Sequence, residues 1–406
     1  MKIIFKEIKK AAKNIEKFIH KTKLFHSRTF SEIAGNNIYI KPENLQKAGS
    51  FKIRGASNKI INLASQEKKN GVIASSAGNH AQGVAMAASQ NNIKSTIVMP
   101  QGAPIAKITA TKNYGAEVVL YGDVFDETYE KAKEIQKQTD ATFIHPFDDI
   151  DIITGQGTIG LEILEELPDV DIILVPIGGG GLISGVATAA KYLKHDIKII
   201  GVESSGAASM KYSLEKECVQ SLTEVNTLAD GISIKTPGNI TYDICSRLVD
   251  DIVTVDDEEI SSAILMLLER AKMVAEGAGA VTIAAVLHNK INFKNKNIVT
   301  ILSGGNIDFN IISRIIERGL GKAGRKTTIK TCLRDKPGHL QILLSLLAEL
   351  NANIISIKHN HYQPGIAIDK AEVEIVLETK NKDHVKKIHN VLSEKGYKIN
   401  KNCICD

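Results

Sequence analysis

Hydrophobic positions in the middle of the chain fall into short β-branched runs, separated by longer segments in which apolar residues recur at helical spacing. The runs cover residues 72–74, 95–99, 117–121, 171–176, 197–202, 252–255 and 298–302. Strands that alternate with helices predict parallel sheets covered on both faces, so the expected fold class is α/β.

The tail of the chain has a different order of elements. After a flexible basic joint at residues 319–325, the pattern predicts strand 326–333, helix 339–350, strands 354–360 and 371–377, helix 383–394 and strand 397–403. This βαββαβ order is typical of a small ferredoxin-like domain, which we expect over residues 326–406.

At the N-terminus, Ile4, Ile8, Ala11 and Ile15 recur at helical spacing and predict a packed amphipathic helix. No apolar region follows it that would make a secretory signal, and no apolar run is long enough to cross a bilayer. With 406 residues and 43% hydrophobic content, the chain is expected to be a soluble protein of two or three domains.

Charge and cysteine content narrow the possible partners and compartments. Lys and Arg number 51 against 46 Asp and Glu, and this small basic excess is spread along the chain with few aromatic residues, which argues against nucleic-acid binding. The five cysteines are irregularly spaced and odd in number, so they are expected to be reduced thiols in the cytoplasm.

Polar and glycine-rich turns follow several of the predicted strands, and open α/β folds keep their ligands at these strand ends. Gly178 to Gly181, followed by Leu182, join a strand to a helix, where consecutive backbone N–H groups can bind a phosphate. The spacing is not the G-x-G-x-x-G of dinucleotide-binding folds, although a nucleotide-dependent enzyme remains an alternative. Ser75, Ser76 and Asn79 offer several donors to a carboxylate at a second such turn.

A third feature is Lys52, in the segment Gly49-Ser50-Phe51-Lys52-Ile53-Arg54-Gly55-Ala56. A lysine amine becomes a covalent catalyst by forming a Schiff base, most often with pyridoxal phosphate (PLP). Ser303, in Ser303-Gly304-Gly305-Asn306, supplies a neutral hydroxyl for a pyridine nitrogen, which would leave that nitrogen largely unprotonated.

Taken in order, these segments resemble the fold type II PLP-dependent enzymes, and most closely the threonine dehydratases, also called threonine ammonia-lyases. The resemblance covers residues 1–320 and implies two open α/β subdomains, the smaller at about residues 50–150. It implies that Lys52 holds PLP and acts as general base on the α-proton, with Phe51 against the ring, Asn79 on the ring hydroxyl and Ser303 on the pyridine nitrogen. It assigns the phosphate to Gly178, Gly179, Gly180, Gly181 and Leu182, and the substrate to Ser75, Ser76, Ala77, Gly78, Asn79 and His80.

The resemblance also sets expectations for two variable positions. Serine racemases of this family carry a serine at the position of Ala77, so its absence favours elimination over racemisation. Metal-activated relatives hold a cation with two acidic side chains, but the second position is Ser209 here. We therefore expect no metal, or at most a weak site at Glu203 and the Ala207 carbonyl. Glu276 is expected either to line the cavity or to sit at a helix start.

The tail resembles an ACT domain through residues 333–340 and 353–354. This implies an amino-acid or nucleotide effector bound near Pro337, Gly338 and Asn353. The alternative is a domain that serves oligomerisation alone. A homodimer or homotetramer is expected. His359 and His361 suggest a metal pair, but alternation on a strand explains them.

The predicted activity is conversion of L-threonine to 2-oxobutanoate and ammonia, with slower action on L-serine. A serine-preferring dehydratase and a catalytically silent amino-acid sensor are the alternatives.

Overall fold

The structure, a computed structural model, describes residues 2–361 and 365–399. The strands are β1 Phe25–His26, β2 Asn37–Pro42, β3 Val72–Ser75, β4 Ser95–Met99, β5 Glu117–Leu120, β6 Thr142–Phe143, β7 Ile172–Pro176, β8 Lys198–Ser204, β9 Asp251–Val255, β10 Asn297–Leu302, β11 Lys326–Arg334, β12 Asn353–Asn360 and β13 Lys370–Glu378. The α-helices are α1 Lys2–Ile15, α2 Arg28–Ala34, α3 Lys52–Asn62, α4 Ser65–Asn70, α5 Asn79–Gln90, α6 Ile105–Asn113, α7 Phe125–Thr139, α8 Ile150–Glu166, α9 Gly181–Leu193, α10 Ser209–Glu215, α11 Asn239–Leu248, α12 Asp257–Met266, α13 Gly277–Leu287, α14 Phe309–Lys322, α15 His339–Glu349 and α16 Lys382–Glu394.

The chain divides into two compact units, residues 1–308 and 309–406. The first unit contains two open sheets, with strand orders β1-β2-β10-β7-β8-β9 and β5-β4-β3-β6. All their pairings are parallel except that of the short β1 with β2. The second sheet lies within residues 72–143, inside the range expected for the smaller subdomain. The predicted α/β fold with two open sheets is confirmed.

Burial on both faces explains why the apolar runs were visible in the sequence. Every residue of β3 and β7 is buried, as expected when helices cover a parallel sheet on both sides. The sequence did not reveal β1, β2 or β6. Two of these strands have only two residues, and β2 carries Lys41 and ends at Pro42, which weakens its strand signal.

The second unit has one antiparallel sheet of order β11-β13-β12, with a core that includes Ile329, Leu343, Val373 and Ile388. It also includes α14, since this unit begins at Phe309. The observed order β11-α15-β12-β13-α16 agrees with the predicted ferredoxin-like pattern. The final predicted strand, 397–403, lies mostly outside the described residues, and 397–399 are irregular.

The structure also bears on the N-terminal helix and on membrane-spanning segments. Phe5, Ile8, Ala11 and Ile15 are buried, so α1 is a packed amphipathic helix. No helix within residues 2–361 and 365–399 has the length and apolar character needed to cross a bilayer.

Two of the cysteines, the exposed Cys218 and the buried Cys245, are free thiols.

Candidate active site

A cavity of about 900 Å³ in the first unit is lined by all three turns that the sequence singled out. Lys52, the residues 75–80, the residues 178–182 and Ser303 contribute to its wall. The turns follow β3, β7 and β10, so the cavity lies at the carboxyl ends of strands from both sheets. Its size is that of a pocket for a small molecule or cofactor.

Backbone hydrogen bonds place Lys52 beside Ser303. The N–H of Phe51 donates to the Ser303 carbonyl at 3.0 Å, and the N–H of Gly305 donates to the Gly49 carbonyl at 2.9 Å. The chain entering α3 is therefore joined to the chain leaving β10. Lys52 and Ser303, which are far apart in the sequence, therefore face the same cavity.

The Lys52 amine lies in a largely desolvated position. Its Nζ donates to the Pro146 carbonyl at 3.1 Å and lies 5.2 Å from the centroid of the Phe51 ring. Burial lowers the pKa of Lys52 to about 8, and the nearby Glu276 carboxyl opposes this shift only in part. A substantial fraction of the amine is then neutral near physiological pH, which is the form that acts as a nucleophile.

A buried charge network fixes the start of α3. Arg54 donates from Nε to Glu43 Oε2 at 2.7 Å and from Nη1 to Glu162 Oε1 at 2.6 Å. Lys41 Nζ donates to Glu162 Oε2 at 2.6 Å. Arg54, Glu43 and Lys41 have no solvent exposure, so each charge depends on its partners. The network ties α3 to the end of β2 and to α8, and no sequence spacing predicted it.

The glycine turn is shaped by close packing and by the start of α9. Gly180, with φ of 92°, lies in the left-handed region immediately before the helix. A Cβ on Gly179 would lie 2.2 Å from the Phe147 ring, so no larger residue fits without movement. The first N–H groups of α9 have no acceptor within the helix, and the helix dipole favours an anion there. This arrangement fits a phosphate group.

In the turn at residues 75–80, the side chains of Ser75, Ser76 and His80 each have a different hydrogen-bond partner. Ser75 Oγ lies 2.8 Å from Thr128 Oγ1 and is buried, whereas Ser76 Oγ accepts from the N–H of Gly78 at 3.2 Å. His80 Nε2 donates to the Ile144 carbonyl at 2.8 Å.

Burial, with a contribution from the Lys52 charge, lowers the pKa of His80 to about 3. His80 is therefore neutral and holds the turn in place, rather than offering a cation to the substrate. The N–H groups at the start of α5 remain as donors for a carboxylate.

Glu276 faces the cavity and does not cap the helix that it precedes. Asn79 Nδ2 donates to Glu276 Oε1 at 2.5 Å, and Asn306 Nδ2 donates to Asn79 Oδ1 at 2.8 Å. Burial, assisted by the charge of Asp230, raises the pKa of Glu276 to about 7. The carboxyl group can therefore exchange a proton near neutral pH, and it fixes the orientation of the Asn79 amide.

Ser303 presents the neutral group expected opposite a pyridine nitrogen. It is 2% exposed, and its Oγ donates to the Ala278 carbonyl at 3.3 Å. Together with the enclosed Lys52 amine and the anion-binding start of α9, this hydroxyl fits PLP. The sequence reasoning missed Phe147, which packs under the glycine turn. Phe147 follows β6, a two-residue strand that carries no periodicity, so the sequence offered no local signal for it.

The carboxylate of Glu203, the candidate for a weak cation site, accepts hydrogen bonds from backbone N–H groups. Its two carboxyl oxygens accept the N–H groups of Met210 and Lys211, each at 2.9 Å, at the start of α10. Burial raises the pKa of Glu203 to about 7. The carboxyl group thus serves as a cap for α10 in this structure.

Comparison with known proteins identifies the family. A family model described as pyridoxal-phosphate dependent enzyme matches residues 15–304. The chain belongs to this family of PLP-dependent enzymes. The predicted family and cofactor are thereby confirmed.

The chain is similar to one relative along nearly its whole length and to another along about three quarters of it. An L-threonine ammonia-lyase of Thermotoga maritima is 52% identical over 397 residues, covering 98% of this chain and 99% of the relative. An L-threonine dehydratase, catabolic TdcB, of Staphylococcus aureus is 47% identical and covers 78% of this chain and 93% of the relative.

Among solved structures, the processed form of threonine deaminase isoform 2 from Solanum lycopersicum has a TM-score of 0.75 and 41% identity, covering 78% of this chain and 93% of that one. Maize serine racemase has a TM-score of 0.74 and 37% identity, covering 78% of this chain and 98% of that one.

Proposed function

We propose that this protein is a PLP-dependent threonine ammonia-lyase, which converts L-threonine to 2-oxobutanoate and ammonia and acts more slowly on L-serine. The observation that carries the proposal is the convergence of Lys52, the glycine turn and Ser303 on one cavity. The full-length similarity to a threonine ammonia-lyase supports the choice of substrate.

The chain offers a distinct group for each part of the cofactor. Lys52 would hold it covalently, Gly178 to Leu182 would bind its phosphate, and Ser303 would meet its pyridine nitrogen. Phe51 would lie against the ring and Asn79 would meet the ring hydroxyl. When bound, PLP supplies an electron sink that makes the α-proton of an amino acid removable.

Substrate handling falls to the turn before α5 and to Lys52. The start of α5, with Ser75, Ser76, Ala77 and Gly78 before it, would bind the substrate carboxylate. The Lys52 amine, whose pKa burial lowers to about 8, would accept the α-proton at Nζ.

A neutral hydroxyl at Ser303 gives a weaker electron sink than a carboxylate would, which favours prompt loss of the β-hydroxyl over transamination. Ala77 carries no group that could deliver a proton to the opposite face of the substrate. This absence favours elimination over racemisation.

The activity is tested by comparing kcat/KM for L-threonine and L-serine while following 2-oxo acid and ammonia release. We expect the higher value for L-threonine. A clear preference for L-serine would replace the proposal with a serine dehydratase. Cofactor-loaded protein with no ammonia release from either substrate would favour a silent sensor.

We further propose that residues 326–406 form an ACT-like regulatory domain in a cytoplasmic homodimer or homotetramer. Gly338, with φ of 90°, precedes α15, whose first N–H groups suit a carboxylate, and Pro337 lies in the same turn. The Asn353 side chain donates to Glu378 Oε2 at 3.0 Å, so an effector would have to compete with this contact.

Titration with isoleucine, valine and AMP, combined with light scattering to measure subunit number, tests the regulatory proposal. An unchanged rate with all three effectors would favour a role in oligomerisation alone.

A further inference from the structure

Three side chains with metal-binding atoms meet at one end of the sheet in the second unit. Asp335, His359 and His361 each offer one ligand atom, and these three atoms all lie within 4.8 Å of one another. Among residues 2–361 and 365–399, no other group of three or more His, Cys, Asp or Glu side chains has ligand atoms this close together. The three residues are exposed, so an ion could reach them from solvent.

The sheet brings these residues together from two different strands. His359 lies on β12, where it pairs with Val373 of β13. His361 follows the end of β12. Asp335 follows the end of β11, and its N–H donates to the Asp369 carbonyl at 2.9 Å, just before β13 begins. Strand alternation explains why His359 and His361 share one face of the sheet. It does not explain why the Asp335 carboxylate lies beside them, because β11 and β12 lie on opposite sides of β13.

The distances are close to those of a metal site. His361 Nδ1 lies 3.1 Å from Asp335 Oδ2, and the two imidazole rings have centroids 4.5 Å apart. Two ligands of a tetrahedral zinc ion, bound at about 2.0–2.1 Å, are separated by about 3.3 Å. The Asp335 and His361 atoms already meet this spacing. Small rotations of the His359 side chain, which is exposed, would bring in the third ligand.

We propose that Asp335, His359 and His361 form a binding site for a divalent transition-metal ion such as Zn²⁺. Two imidazoles and one carboxylate are a ligand set that suits zinc, nickel or copper, and they discriminate against magnesium and calcium, which prefer oxygen ligands. Three protein ligands leave a coordination position open to water or to another donor. The site belongs to the second unit and is independent of the proposed lyase activity.

A simpler reading is an ion pair between Asp335 and His361 that binds no metal. The two readings differ in the role of His359, which a metal site requires and the ion pair does not.

The test is calorimetric titration of ZnCl₂ into the full-length, PLP-loaded protein after removal of metals with a chelator, in the presence of excess Mg²⁺. We expect one zinc ion per chain. His359→Ala, His361→Ala and Asp335→Asn should each weaken binding at least about tenfold, since even the loss of an outer-shell partner costs about 10–100-fold. The matched control is His195→Ala, an exposed histidine in the first unit, which should leave the titration unchanged.

Absence of zinc binding would overturn the proposal. So would binding that survives His359→Ala unchanged, because the ion would then be held elsewhere or by the pair alone. Melting temperatures of the variants without zinc should match that of the unsubstituted protein, since all three side chains are exposed.

Discussion

The glycine turn provides a sharp test of how the chain holds the cofactor phosphate. In Gly179→Ala, the new Cβ would lie 2.2 Å from the Phe147 ring, well inside van der Waals contact. Either the ring or the turn must move, and movement of the turn takes backbone N–H groups away from the phosphate. Loss of one hydrogen bond to a charged group costs about 1.5–3 kcal/mol, which corresponds to a rise of about tenfold to a hundredfold in the Kd for PLP.

The assay is titration of the apoenzyme with PLP, followed by the visible absorbance of the bound cofactor. Gly102→Ala is the matched control, because a Cβ there would meet no atom within 4 Å, and its Kd should be unchanged. Gly179→Ala combined with Phe147→Leu should recover part of the lost affinity by relieving the overlap. If Gly179→Ala binds PLP with a Kd within about twofold of the unsubstituted protein, the assigned role of the turn is wrong.

Two predictions concern buried charges in the first unit. Because the pKa of Glu276 is raised to about 7, its carboxyl binds a proton more tightly in the folded than in the unfolded protein. The contribution of Glu276 to the stability of the apoenzyme should therefore fall as pH rises from about 4.5 to 7, and Glu276→Gln should remove that part of the pH dependence in urea unfolding. An identical pH profile in the variant would refute the raised pKa. Glu43→Ala leaves the two buried cations Arg54 and Lys41 with Glu162 as their one remaining carboxylate partner in the network, so one positive charge is uncompensated, and it should cost about 3–5 kcal/mol of unfolding free energy, measured with the same denaturant. The control Glu32→Ala removes only an exposed pair and should leave the transition midpoint in place; equal effects of the two substitutions would contradict the role of the network.

The sequence predicted the parts of the fold that depend on repeated, local patterns. The apolar runs of β3, β4 and β7 were visible because buried parallel strands are continuously hydrophobic. The turns that follow the strands were visible because glycine and serine clusters are rare outside such positions. The two-residue strands β1 and β6 were not, since two residues carry no periodicity.

The parts of the site that escaped prediction depend on contacts between distant segments. Phe147 reaches the glycine turn only because β6 and β7, which belong to different sheets, end at the same cavity. Asp335 and His361 meet across the start of β13, and the sequence pattern around the two histidines indicates only strand alternation. Arg54 lies in a recognisable sequence motif, but its buried partners Glu43 and Glu162 come from elements that no local pattern joins.

The central claim is that the Lys52 amine carries the cofactor. Borohydride reduction of the PLP-loaded protein, followed by peptide mass spectrometry, would identify the modified lysine. We predict modification at Lys52, its loss in Lys52→Ala together with the visible absorbance and the lyase activity, and its retention in Lys59→Ala, a substitution in the same helix. Modification of any other lysine in the unsubstituted protein, or undiminished turnover by Lys52→Ala, would contradict the claim.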